Sequence, residues 1–133
     1  MIFREWLYST LNDATAVTTE VDDRIFQGES LESSVLVRPF LVYTIGNATD
    51  EEFSEDTRPY RQFFQIYVHD TPTDYTNIDR LVGIIKALLK NASSKDAGVI
   101  WVHHLETSRD LDDASMGTIM RYLRFQAIME ETP

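Results

Sequence analysis

Arg58-Pro59-Tyr60-Arg61-Gln62-Phe63-Phe64-Gln65-Ile66-Tyr67-Val68-His69-Asp70 is followed, after a short turn, by a stretch in which Ile78, Leu81, Val82, Ile85, Leu88 and Leu89 recur at helical spacing. The first segment alternates as a strand does, with Phe64, Ile66 and Val68 on one face and Phe63 and Tyr67 on the other. The second segment carries one apolar stripe and reads as an amphipathic helix, which needs a flat apolar partner. Asp74 or Thr76 is expected to cap that helix, Thr76 and Asp79 fit a capping box, and Lys86 and Lys90 suit its C-terminal dipole. The partner is the sheet that contains the preceding strand, and the rest of the chain reads as what completes that sheet.

Upstream, Ile2, Phe3, Trp6, Leu7, Leu11 and Ala14 repeat at helical spacing and predict a first helix of about a dozen residues. The Thr- and Asp-rich residues 15–23 read as an exit loop, and Arg24-Ile25-Phe26-Gln27 as a short strand ended by Gly28. Arg38-Pro39-Phe40-Leu41-Val42-Tyr43-Thr44-Ile45 is a strand with proline at its start or on an edge, and Gly46-Asn47 signals a turn. Mobile loops are expected near residues 28–36 and 47–57. Downstream of the helix, Asn91 is a terminator and residues 91–98 a polar turn. Val99 to Glu106 is a strand, Asp110–Asp113 an acidic turn, and Thr118 to Ile128 the last strand. The predicted order α-β-β-β-α-β-β gives an α+β domain. It has a mostly antiparallel sheet of four to five strands and two helices on one face.

The 133 residues suit one domain, and a hydrophobic content of 43% with 11% aromatics argues for a packed core. There is no cysteine, which excludes disulfides, iron–sulfur clusters and thiol chemistry. No apolar run approaches the roughly 20 residues of a membrane helix, and the N-terminus lacks a signal peptide's pattern, so a soluble intracellular protein is expected. The formal net charge of −10 opposes nonspecific adhesion to nucleic acid or anionic membrane. The acids gather at Glu51-Glu52 with Glu55-Asp56 and at Asp110 with Asp112-Asp113, whereas Arg38, Arg58, Arg61, Arg121 and Arg124 lie in or beside strands. This arrangement fits contacts between copies of the chain, and it equally fits plain solvation of the acidic loops.

Motifs for chemistry are scarce. His103-His104 is the most metal-like feature, but adjacent strand residues face opposite ways, and a meeting with His69 brings no carboxylate to complete a site. Asp110-Leu111-Asp112-Asp113 lacks the glycine and distal glutamate of a calcium loop. No nucleotide-binding, zinc-protease or serine-nucleophile motif occurs, and five glycines in the whole chain make a phosphate cradle improbable. Neither an enzyme nor a cofactor- or metal-binding protein is expected. Phe63, Phe64, Tyr67, Tyr122 and Phe125 lack the pattern of an RNA-stacking sheet, and the charge is wrong for one. Both long strands instead carry apolar residues on two faces, with Leu123 and Phe125 opposed to Tyr122 and Ile128 in the last. One face therefore suits helices and the other a neighbouring subunit.

Several of these patterns together resemble the tail terminator proteins of long-tailed bacteriophages, over most of the chain. The residues that carry the resemblance are the N-terminal helix leading to Asp23-Arg24-Ile25-Phe26, the Arg38-to-Tyr43 strand, and Phe64-to-Asp70 feeding the helix around Ile78–Leu89. The Trp101–Arg109 and Thr118–Ile128 pair completes it. The resemblance implies a virion protein assembled in the host cytoplasm as a ring, commonly six-fold. Such a ring stacks on the tail tube protein, stops tube growth, offers its other surface to a head-completion or connector protein, and lets DNA pass through its lumen. Glu51, Glu52, Glu55 and Asp56 on one side and Arg58, Arg61, Arg121 and Arg124 on the other are the candidate interface residues. A head-closure factor, or a non-viral cytoplasmic partner-binding module, is the alternative, and a hydrolase using the acidic turn and a histidine is a further one.

Overall fold

The computed structural model describes residues 1–28, 37–50, 59–73 and 75–130. Among these residues, three helices cover one face of a six-stranded sheet. The elements run α1 (Phe3–Asp13), α2 (Thr15–Val21), β1 (Ile25–Gln27), β2 (Phe40–Asp50), β3 (Pro59–Asp70), α3 (Thr76–Leu89), β4 (Val99–Thr107), β5 (Leu111–Asp113) and β6 (Thr118–Glu130). The sheet order is β1-β2-β3-β6-β4, with β5 also on β6. Among the described strands the β1–β2 pairing is parallel and the others are antiparallel. The segment 59–70 is thus central: β3 pairs with β2 on one side and runs along nearly all of β6 on the other.

The core lies where the alternation placed it. Phe64, Ile66 and Val68 of β3 and Leu123, Phe125, Ala127 and Met129 of β6 are buried. They meet Ile78, Leu81, Val82, Ile85 and Leu89 of α3, with Trp6, Leu7 and Leu11 of α1 in the same cluster. Phe64 and Phe125 stack at 5.1 Å in its centre. Leu88 of the expected stripe is only partly buried, and Ile2 is 62% exposed at the N-cap of α1 rather than part of its apolar face.

Several expectations are corrected. Residues 15–21 form a second helix instead of a loop, because Val17 and Val21, one turn apart, drop into the core and outweigh the weak helix propensity of the threonines. Among the described residues the count is therefore three helices and six strands. Gly46-Asn47 is no turn: β2 continues to Asp50 through a register irregularity between Ile45 and Ala48, a bulge that absorbs the glycine. Residues 111–113, read as part of an acidic turn, are strand β5, which extends the β6 pairing beyond the end of β4. The N-cap of α3 is Tyr75, with Thr76 already helical, so the expected capping box at Thr76 does not form; Asp74 lies outside the described residues. Asn91 does end the helical region, at φ 65°, a left-handed conformation asparagine tolerates. Residues 47–50 belong to β2, whereas 29–36 and 51–57 of the expected mobile loops are outside the described residues.

Candidate interaction face

Among the described residues, the helices leave the opposite sheet face open. Strand parity places Thr44 of β2, Arg61, Phe63, Gln65 and Tyr67 of β3, Tyr122, Arg124, Gln126 and Ile128 of β6, and Trp101 and His103 of β4 on it. Most are half-buried, with Arg61, Arg124 and Trp101 exposed. Tyr67 and Tyr122 sit opposite each other with ring centroids 5.7 Å apart. The Tyr67 hydroxyl donates to Gln65 Oε1 and is itself bonded by Thr44. Burial raises the Tyr67 pKa above its usual value, the Thr44 hydroxyl pulls the other way, and Tyr122 adds to the rise.

Two hollows flank this tyrosine row. One, of about 360 Å³, opens at the β2 bulge and is lined by Thr44, Gly46, Asn47, Phe63, Gln65 and Arg124, among others. The other, of about 270 Å³, includes Val42, Tyr67, His69, Asp113, Met116 and Met120. Beside it lies a small second core. Phe40, fully buried, stacks on His69 with the rings 4.7 Å apart and 7° from parallel, and Phe26 packs edge-on against Phe40. His69 Nδ1 meets the Thr118 hydroxyl at 2.8 Å. Burial drives the His69 pKa down to about 4, against the attraction of Asp113, while Arg38 adds to the fall. Arg38 Nη2 donates to the Met116 carbonyl at 2.6 Å, and its buried Nε has no partner among the described residues.

The candidate arginines separate. Arg124 and Arg61 lie on the open face. Arg121 pairs with Val68 and belongs to the helix face. There its Nη1 donates to Asp79 Oδ1 at 2.8 Å, its Nε donates to the Ser108 carbonyl at 3.1 Å, and Asp110 lies 3.8 Å away. Arg121 therefore ties β6 to the first turn of α3 and to the β4–β5 connection, on the sheet face opposite Arg61 and Arg124. Arg121→Ala is expected to cost about 1–2 kcal/mol in chemical denaturation, through loss of charge-assisted hydrogen bonds, and to leave association unchanged. Glu51, Glu52, Glu55, Asp56 and Arg58 lie outside the described residues. The histidine pair splits as the alternation requires. His103, on the open face, packs on Trp101, and His104, on the helix face, meets the Thr107 hydroxyl at 2.8 Å. His69 is held by Thr118 at the other end of β6. No group of three or more potential metal ligands occurs among the described residues.

The outer edge of β4 is a second surface, bordering that face. Ile100, Trp101 and Leu105 are 50%, 45% and 43% exposed, and register irregularities fall at Ile100 and Leu105. Such bulges discourage indiscriminate strand pairing. The Trp101 indole donates to Asn91 Oδ1 at 2.7 Å. The sequence signalled these residues only as a strand; that β4 forms an edge depends on the crossover that seats β6 between β3 and β4.

No protein family matches the sequence, and no curated protein does. The fold is found among solved structures. It is similar to a chain in the virion of the native gene transfer agent particle, with a TM-score of 0.73 at 13% identity, over 94% of this chain and 92% of that one. A second solved chain matches with a TM-score of 0.59 at 12% identity, over 98% of this chain and 92% of that one. At these identities the likeness establishes the fold.

Proposed function

We propose that this chain is a structural protein of a phage-type virion, and more narrowly a tail terminator. It closes into a ring, of six copies on this reading, on the end of the tail tube. There it stops further addition of tube subunits and offers its far surface to a head connector. The observation that carries the reading is the shared fold with a virion-particle chain over nearly the full length of both. The open sheet face supports it, since half-buried aromatic and apolar residues opposite a helix-covered core suit a subunit contact. Ring closure needs two different patches on each copy, and the open face and the β4 edge are distinct surfaces. The net charge of −10 suits a ring through which DNA passes without being held. No catalytic, metal or cofactor role enters this reading.

Tube growth tests it. Adding the purified chain to polymerising cognate tube subunits is expected to shorten the tubes and leave a cap on one end in negative-stain images. Binding to the head connector with unchanged tube lengths would point instead to a head-closure factor.

A further inference from the structure

We propose that the hollow at Arg124 is a carboxylate-binding notch that receives an aspartate or glutamate side chain of a second copy of this chain. The inference rests on the ring reading and names the chemistry of one of its contacts. The notch opens beside the β2 bulge, where the register shifts between Ile45 and Ala48, and leaves about 360 Å³ between Thr44, Asn47, Thr49, Phe63, Gln65 and Arg124.

Its polar lining is donor-rich. Arg124 and Gln65 are cross-strand partners. The Gln65 carbonyl is already taken by the Tyr67 hydroxyl, so the Gln65 amide presents its NH₂. Two acceptors at the rim are already engaged: Gln62 Nε2 donates to the Gly46 carbonyl at 2.9 Å and to the Phe63 carbonyl at 3.0 Å. Arg124 itself is held loosely. Its Nη1 is 3.6 Å from Glu106 Oε1, with both side chains about half exposed, an ion pair worth little in water. A guanidinium beside an amide NH₂ and the Asn47 and Thr49 side chains, over a phenylalanine floor, recognises a planar anion.

Two sources offer such an anion, a carboxylate and a nucleic-acid phosphate. Charge decides between them. Each copy carries 22 acidic against 12 basic residues, so a neighbouring copy supplies carboxylates in excess while the field around the molecule repels a phosphate backbone.

The test is the concentration for half-assembly of the full chain, wild type against R124Q, R124E and R124K, with near-UV circular dichroism confirming that each folds. The account expects R124Q to raise that concentration about tenfold, R124E to raise it distinctly further through repulsion, and R124K to restore part of the loss. Wild-type association should also weaken with added salt. Equal effects of R124Q and R124E would mean that the notch meets a neutral acceptor, and would overturn the carboxylate. Assembly of R124E like wild type would overturn the notch and leave the ring intact. Loss of duplex DNA binding in R124E, with assembly unchanged, would assign the notch to phosphate. A wild-type chain that stays monomeric at every concentration would remove the ring reading and the notch together.

Discussion

Replacing Phe125 with alanine is expected to cost about 3–5 kcal/mol of folding stability, a large share of what a domain of this size possesses. Phe125 is fully buried, stacks on Phe64 at 5.1 Å and meets the His104 ring at 5.5 Å. It lies on β6 between β3 and β4 and beneath the helices, so truncation opens a cavity that no single element can close. Ile128 of the same strand makes the control. It is apolar too, but on the open face and only half-buried, so Ile128→Ala should cost less than about 1.5 kcal/mol in the isolated chain. Urea denaturation measures both. Equal losses would mean that the two sheet faces are equally covered within one copy, and would remove the argument for a subunit contact.

Acidification is expected to destabilise the fold from about pH 6.5 downward, with His69 as the main cause. Its folded-state pKa is lowered to about 4 from the ordinary 6.5, so the unfolded chain binds the proton more tightly. The neutral ring's contribution is complete above pH 6.5 and is lost progressively as the pH falls toward 4. The limiting loss is about 3 kcal/mol, at 1.36 kcal/mol per pKa unit. The stack on Phe40 and the bond to Thr118 hold the ring where a charge is poorly solvated. His104 contributes in the same direction, its pKa lowered by burial and by Lys86. Asp113 opposes part of the effect, because its carboxylate draws His69 toward protonation. In denaturation curves between pH 4 and 7.5, His69→Gln should flatten most of the slope below 6.5. A slope unchanged by that substitution would place the acid sensitivity elsewhere.

The parts of the fold legible in the sequence are those where one periodicity acts without competition. The β3 and β6 alternation and the α3 stripe identified the core face almost residue by residue, since a long strand or helix buries one side or fails to pack. Of the short elements, Ile25–Gln27 was legible and Thr15–Val21 and Leu111–Asp113 were not. Thr15–Val21 has poor helix propensity and forms because Val17 and Val21 find the core, a tertiary cause that no local window contains. Gly46-Asn47 carried a turn's composition, yet glycine also serves a bulge, and only the β3 partner decides between them. Arg121 is different, because the signal was present. It stands three positions before Arg124, an odd step that puts the two side chains on opposite faces of one strand, so their shared charge does not make them neighbours. The Arg124 notch lay beyond the sequence, since it requires both the bulge and the Gln62 and Tyr67 hydrogen bonds to turn its lining into donors.

The central claim, that this chain closes on copies of itself, is tested most directly by its native mass across a wide concentration range, with and without magnesium. The account predicts a discrete species near six copies of the 15.4 kDa chain, with no open-ended series of larger ones. A monomer at every concentration and in both buffers would contradict it.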